Sequence, residues 1–355
     1  TGDSLTAVGT GALASNTTGN SNSAFGRSAG GAITTGIQNA LIGTQAGDAL
    51  TDADFNVAVG TVALSSDTLG SRSTALGHAT LFNQNFTSAT DTYNVAVGYN
   101  AGQQVTTGVQ NTLIGGLAGD ALAASSDNTA VGYQALGSAT TGNENTAIGH
   151  SALFTNILSD RNVALGVDAL RNHNQASSID SYNTAVGYNS GASVTTGIQN
   201  TLIGGLAGDA LTDADFNVAV GQDALTADTL GSRSIAIGRR SLYTQNFTSA
   251  TDAYNIGVGF NAGYSITTGK ENNLIGGLAG DALTDADFNT AVGQEALSTD
   301  TLGSRSVAIG WGALRVQNFT SATDTYNVAV GNLAGTAVTT GKQNTFIGGL
   351  ACDEH

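Results

Sequence analysis

A five-residue motif that returns at fixed intervals limits the possible folds of this chain more than any other feature. The motif reads Asn-(Thr/Val)-Ala-(Val/Ile)-Gly, and its glycine occurs 20 times in 355 residues. Most intervals between these glycines are seventeen residues long, and four are longer, at twenty-one. Seventeen residues cannot hold a strand with a crossover helix, but they can hold two short strands and two tight turns. The sequence therefore predicts an all-β, parallel β-solenoid of 20 coils, each of seventeen or twenty-one residues.

Each position of the repeat has its own composition, which predicts its environment. The residue before the motif glycine is apolar in every turn and mostly β-branched, so we expect it to face the interior of the coil. Three residues after the glycine, 17 turns carry Ala, which predicts a flat face where backbones or a partner chain approach closely. The invariant glycine predicts a turn with positive φ.

Asparagine occupies the position four residues before the motif glycine in 16 turns. Identical amides that stack at the strand spacing of about 4.8 Å can hydrogen-bond along the axis of the solenoid. We therefore predict a structural ladder made of Asn22, Asn39, Asn56, Asn94, Asn111, Asn128, Asn145, Asn162, Asn183, Asn200, Asn217, Asn255, Asn272, Asn289, Asn327 and Asn344.

The four long turns, each of which has four residues more than the other turns, are the candidate binding surfaces. Three of them share the sequence QNFTSATDxYN at residues 84–94, 245–255 and 317–327, and the fourth, at 175–183, diverges. We expect the extra residues to bulge from the coil without adding to the ladder. Either their Phe and Tyr fold back to cover the edge of the coil, or they form a belt of aromatic and polar contacts for glycans or a neighbouring fibre. The candidate binding residues are Phe86, Asp91, Tyr93, Phe247, Asp252, Tyr254, Phe319, Asp324 and Tyr326.

The charge balance argues against several classes of partner. The chain has 27 acidic and 11 basic residues, for a net charge of −16, whereas nucleic-acid binding depends on Lys and Arg against phosphate. There is no apolar run of about 20 residues, so we expect no membrane insertion in this segment.

Neither catalysis nor metal binding is predicted. The chain has only four Glu, and each pair of Asp recurs in near-identical copies, whereas an active site is seldom repeated along a rod. We therefore expect no enzyme activity, no catalytic residue and no cofactor. A recurring acidic triplet is a candidate for Ca²⁺, which prefers carboxylate oxygens, but a solvated turn is the favoured interpretation. These triplets are Asp48, Asp52 and Asp54; Asp209, Asp213 and Asp215; and Asp281, Asp285 and Asp287.

The motif resembles two related groups of surface proteins. NTAVGYQAL at 128–136 and TTGNENTAIGHSAL at 140–153 are similar to the repeat shaft of phage tail fibres that end in an endosialidase-type self-cleaving chaperone domain. The head β-roll of trimeric autotransporter adhesins has related repeats. The resemblance covers essentially the whole chain and implies a left-handed β-roll, a homotrimer, and an extracellular location on a virion tail fibre or a bacterial cell surface.

The expected function follows from the array and the resemblance together. Residues 1–355 are interpreted as one continuous solenoid whose ends both fall within a repeat, as in a segment of a longer fibre. The favoured function is a structural shaft that projects a receptor-binding tip. The alternative is an adhesin head whose lateral surface binds glycans or the host-cell surface. Ice binding by a flat Thr array is a weaker third hypothesis, because Val and Ile interrupt the Thr column.

Overall fold

The computed structural model describes residues 2–353, which form stacked turns of parallel β-structure. The chain divides into two compact units, Thr1–Tyr182 and Asn183–His355. Residues 2–353 contain no α-helix, and thus no helix that could cross a membrane within that range. The predicted all-β parallel solenoid is confirmed.

In the first unit, ten three-residue strands form one parallel ladder. Each strand pairs with the equivalent strand of the next turn, as Thr6 does with Ser23, and the pairing continues across a long turn, as Thr74 does with Val95. Four two-residue strands form two short parallel pairs beside it. The strands are β1 (Thr6–Val8), β2 (Ser23–Phe25), β3 (Ala40–Ile42), β4 (Val57–Val59), β5 (Gly70–Ser71), β6 (Thr74–Leu76), β7 (Thr90–Asp91), β8 (Val95–Val97), β9 (Thr112–Ile114), β10 (Thr129–Val131), β11 (Thr146–Ile148), β12 (Ser159–Asp160), β13 (Val163–Leu165) and β14 (Ile179–Asp180).

The second unit repeats this arrangement with ten three-residue strands in one parallel ladder and four two-residue strands in two pairs. These strands are β15 (Thr184–Val186), β16 (Thr201–Ile203), β17 (Val218–Val220), β18 (Gly231–Ser232), β19 (Ile235–Ile237), β20 (Thr251–Asp252), β21 (Ile256–Val258), β22 (Asn273–Ile275), β23 (Thr290–Val292), β24 (Gly303–Ser304), β25 (Val307–Ile309), β26 (Thr323–Asp324), β27 (Val328–Val330) and β28 (Thr345–Ile347). In both units the second strand expected in every coil occurs only beside the long turns.

The interior of each coil is formed by the middle residue of the strand. Ala24 and Leu41 at this position are fully buried, whereas Ile42, directly before the motif glycine, is 46% exposed. Neighbouring side chains of a strand point to opposite faces, so only one of these two columns can lie inside. The expectation that the β-branched column faces the interior was wrong.

The column of alanines three residues after the glycine also lies inside the coil. Ala29, Ala46 and Ala118 are fully buried. The prediction that this column offers a face to a partner chain was therefore wrong, because no surface of it remains for a partner to contact.

The narrow interior is filled by complementary residues in neighbouring columns. Where the strand carries Leu41, the glycines Gly30 and Gly47 lie beside it, and a Cβ at Gly47 would fall 2.9 Å from a methyl carbon of Leu41. Where the strand carries Ala75, the position four residues after the motif glycine is Leu81, which is fully buried. The two columns are complementary in these turns. In turns where both are small, as at Ala24 and Gly30, the buried Ile33 and the leucines of neighbouring turns fill the space.

The motif glycine adopts the conformation that the sequence predicts. Its φ lies between 121° and 142° in all turns. A Cβ at Gly43 would also lie 2.4 Å from the carbonyl oxygen of Gly60 in the next turn. Both the dihedral angle and the close approach of successive backbones require glycine.

Candidate interaction surfaces

The predicted ladder asparagines lie in one buried column. Fifteen of the 16 are 0–1% exposed, and Asn344 is half-buried. In a typical turn, the Asn111 backbone N–H donates to Oδ1 of Asn94 at 2.9 Å, and Asn111 Nδ2 donates to the Ser125 carbonyl at 2.8 Å. Each side chain thus satisfies one N–H and one C=O that the three-residue strands leave without a partner.

In three turns a serine replaces the ladder asparagine, and a glutamine from the following turn supplies the missing amide. Gln84 Nε2 donates to Ser73 Oγ at 2.8 Å and to the Asp67 carboxylate at 2.6 Å, while Gln84 Oε1 accepts from Asn94 Nδ2 at 2.9 Å. The ladder therefore continues past the serine through a buried Asp–Gln pair. The same arrangement recurs at Asp228 with Gln245 and at Asp300 with Gln317.

The aspartate of each pair is a buried carboxylate that anchors the long turn. Asp67 is fully buried, and its Oδ1 accepts the Gly70 N–H at 3.0 Å and the Phe86 N–H at 3.2 Å. Burial raises the pKa of Asp67 and of Asp228, although these hydrogen bonds oppose the shift. Sequence reasoning missed these residues, but a signal existed: Asp and Gln recur one turn apart at the same repeat position, on either side of the serine.

The predicted binding residues of the long turns do not form a single site. Phe86, Phe247 and Phe319 are buried at 5–7% exposure, whereas Tyr93, Tyr254 and Tyr326 are 50–53% exposed. The three phenylalanines thus cover the coil, and the tyrosines project into solvent. The aspartates also lie on the surface, in the two-residue strands that pair with the preceding turn.

An arginine that the sequence analysis did not single out joins the exposed tyrosine and aspartate. The Arg72 guanidinium lies 2.9 Å from Asp91, 5.9 Å from the centroid of the Tyr93 ring and 4.8 Å from that of Phe55. Phe55, Arg72 and Tyr93 occupy the same repeat position in three successive turns, all with positive φ. Two further copies of the arrangement centre on Arg233 and Arg305, with ion pairs of 2.9 Å and 3.1 Å and with the same two aromatic neighbours.

The divergent fourth long turn keeps the arginine but replaces its partners. Arg161 bonds to Glu144 at 3.0 Å, to the Tyr182 hydroxyl at 3.0 Å and to Asp180. The hydrogen bond with Glu144 is the main reason that the pKa of Arg161 is raised, and Arg161 lowers the pKa of Glu144. In the interior, Asn156 and His173 take the places of the Asp–Gln pair.

The acidic triplets do not converge on a common point. Asp52 accepts the Thr35 hydroxyl and Asp54 accepts the Ile37 N–H at 2.7 Å, so both bond to the preceding turn. Asp48 is half-buried beside Gln45, and burial raises its pKa. Within residues 2–353, no three His, Cys, Asp or Glu side chains group closely enough to hold a metal ion.

The most extended surface feature is a stripe of uncharged side chains along each ladder, which we call the outer stripe. It consists of the first and third residues of every three-residue strand, which are Thr, Ser, Ala, Val, Ile, Leu, Phe and a single Asn. Its third-position isoleucines are partly exposed, as at Ile114 (39%) and Ile275 (41%). None of its side chains is charged, although the chain has a net charge of −16. A contiguous apolar surface without charges is typical of a protein–protein interface.

One hollow lies beside the outer stripe of the second unit. Its volume is about 500 Å³, and it is lined by Tyr254, Ile256, Glu271 and Asn273. Ile256 and Asn273 are first residues of neighbouring strands, so the hollow opens on the stripe itself.

No family model matches the sequence, and no curated protein is significantly similar to it.

Proposed function

We propose that this chain is the structural shaft of a homotrimeric surface fibre that projects a receptor-binding tip. The observation that carries the proposal is the outer stripe, an uncharged face with a continuous apolar column at the third strand residue, which extends over ten successive turns in each unit. A monomeric soluble protein rarely exposes a contiguous apolar patch of more than a few hundred Å². Three such faces turned toward a common axis would remove all of them from water.

The remaining surface suits a solvated shaft. The acidic residues lie outside the stripe, so the outer side of an assembled trimer would be strongly negative and would resist self-association between fibres. Three parallel chains, left-handed coils, an extracellular location on a virion or bacterial surface and the absence of catalysis complete the proposal. The resemblance to fibre shafts and adhesin heads implies the trimer, the handedness and the location, whereas the absence of catalysis is argued from the four Glu and the repeated Asp pairs of the sequence.

Sedimentation of the full chain tests the trimer, and the structure supplies a matched pair of variants. Ile114 lies in the outer stripe and is 39% exposed, whereas Ile157 lies outside the stripe and is 36% exposed. We expect three chains per particle for the native protein and for Ile157→Lys, and dissociated chains for Ile114→Lys, because Lys would place three like charges around the axis. A native protein that sediments as a stable monomer, or an Ile114→Lys variant that remains trimeric, would contradict the proposal.

A further inference from the structure

Chains built from near-identical turns face an ambiguity when they assemble. A copy shifted by one turn, about 4.8 Å, presents almost the same backbone to its neighbour as a copy in register. Assembly in one register therefore requires side chains that differ from turn to turn on the contacting face.

The outer stripe of the second unit carries such differences. The third residue of its strands alternates strictly between Val and Ile over ten turns, in the order Val186, Ile203, Val220, Ile237, Val258, Ile275, Val292, Ile309, Val330 and Ile347. If one chain were shifted by one turn along its neighbour, every Val of this column would lie beside an Ile of the neighbour. A shift by an even number of turns would still place Val beside Val and Ile beside Ile in this unit.

Asn273 removes the remaining ambiguity. It is the only amide side chain in the outer stripe within residues 2–353, and the equivalent residues four turns before and after it are Thr201 and Thr345. The Asn273 side chain is half-buried, borders the hollow and makes no hydrogen bond within the described part of the chain. Its amide is therefore free to bond to another molecule.

The partner that fits the stripe best is a second copy of this chain. A contact along ten turns must repeat at the same spacing as the turns themselves, which a partner of another fold would not do. The stripe offers no charge to pair with a charged partner. A second copy aligned in register satisfies both conditions, because its stripe has the same spacing between turns and is also uncharged.

We infer that Asn273 sets the axial register of the assembly: the Asn273 amides of three parallel chains meet at one level and hydrogen-bond to one another. A single polar amide in an apolar interface specifies register in coiled coils for the same physical reason, because a shifted amide loses its amide partners. Here a shift of two turns would place Asn273 against Ile235 or Val307, and a shift of four turns against Thr201 or Thr345. This inference rests on the proposed trimeric shaft.

Charge complementation between full-length chains tests the register directly. Asn273→Asp and Asn273→Lys should each weaken trimer formation at least about tenfold, measured by sedimentation over a concentration series, because like charges meet at one level. An equimolar mixture of the two variants should restore trimers. Asn246→Asp is the matched control, since Asn246 is exposed on a long turn outside the stripe and accepts the Thr229 hydroxyl, as a carboxylate also can. It should assemble like the native chain.

The outcomes separate this inference from the proposed function. A native chain that stays monomeric overturns the trimer. A native trimer in which Asn273→Asp assembles normally overturns the role of Asn273 while the trimer stands. Restoration by mixing Asn273→Asp with Thr201→Lys, rather than with Asn273→Lys, would show chains shifted by four turns and would overturn the register. Circular dichroism of each variant checks that its coils are folded.

Discussion

At the scale of single residues, the buried asparagine column stabilises the solenoid by satisfying backbone groups. A three-residue strand provides few ladder bonds, and the turns that follow it leave donors and acceptors in the interior. Asn111 Oδ1 accepts the Asn128 N–H at 3.1 Å, and Asn111 Nδ2 reaches the Ser125 carbonyl. No smaller side chain can reach both groups, which is why serine occurs here only where a glutamine assists it.

Replacement of one ladder asparagine should be costly. Asn111→Ala would leave the Asn128 N–H and the Ser125 C=O buried without partners, at about 1–3 kcal/mol for each group. We expect a loss of about 2–6 kcal/mol in the free energy of unfolding, measured by urea denaturation. Asn332→Ala is the control, because Asn332 is exposed and its side chain makes no hydrogen bond in the described residues, so the change should stay within about 0.5 kcal/mol. Equal effects of the two variants would show that the ladder contributes nothing specific.

The sequence predicts the environment of a repeat position well where only one residue type fits that position. Glycine was the only residue compatible with the φ of the motif turn, and asparagine stacks with its own kind, so both columns were identifiable. The prediction of which strand residues point into the coil was wrong. It placed Val and Ile inside because they are more hydrophobic than Ala. The middle residue of each strand points into the coil, so the Val and Ile beside it point outward to the outer stripe, where the isolated chain does not cover them.

At the scale of elements, the long turns are more closely joined to the coil than a bulge would be. Strand β7 pairs with β5, with backbone bonds from Thr90 N to Leu69 O at 3.3 Å and from Thr92 N to Ser71 O at 2.9 Å. The sequence analysis expected the extra residues to add nothing to the ladder, and this expectation was wrong. The error has a physical cause: the pairing joins residues of two successive turns, which no local pattern in the long turn reveals.

Deletion of residues 88–91 should therefore destabilise the fold without abolishing it. It removes Thr90 with its bond to Leu69 and displaces Thr92 from its bond to Ser71, at about 0.5–1.5 kcal/mol for each bond, and it removes the exposed Arg72–Asp91 ion pair, at up to about 1 kcal/mol. We expect a loss of about 1–4 kcal/mol by thermal or urea unfolding, with retained β-structure. Asp91→Ala, which removes only the ion pair, should cost less than about 1 kcal/mol.

The same two variants address the alternative in which the lateral surface binds glycans. The deletion removes Asp91 and disturbs the exposed Tyr93, whereas Phe86 stays in the interior. Attachment to glycan-coated beads that falls with the deletion would support lateral binding. Attachment that is absent in both the native and the deleted chain favours a pure shaft, and unfolding of the deleted chain would show that the extra strand pair is indispensable.

At the scale of the whole molecule, charge is distributed unevenly between surface and interior. The outer stripe is uncharged, yet several carboxylates are partly or fully buried in the coils. Burial raises the pKa of Asp281 to about 6, and the nearby Glu295 adds to this shift. Burial likewise raises the pKa values of Asp67, Asp228, Asp48, Asp120, Asp209 and Asp215.

These raised pKa values make the stability depend on pH in a defined direction. An Asp in the unfolded chain titrates near pH 3.9, so between about pH 4 and pH 6 the folded chain binds more protons than the unfolded chain. The free energy of unfolding should therefore rise as the pH falls from 7.5 into this window, and should decline as the pH rises through the folded-state pKa values. The melting temperature should increase by on the order of a few degrees between pH 7.5 and pH 5.5. Lower pH also reduces the repulsion that arises from the net charge of −16.

Two comparisons separate the buried carboxylates from this general repulsion. Added salt screens charges on the surface, whereas it leaves the cost of burying a carboxylate largely unchanged, so the pH dependence should persist at about 0.5 M NaCl. Asp281→Asn removes the most strongly shifted of the partly buried groups and should flatten the melting curve between pH 7.5 and pH 5.5, whereas Asp285→Asn, in the same turn but exposed, should not. Calorimetry at fixed ionic strength provides the measurement. A melting temperature that falls on acidification, or a rise that high salt abolishes, would show that buried carboxylates do not govern the stability of these coils.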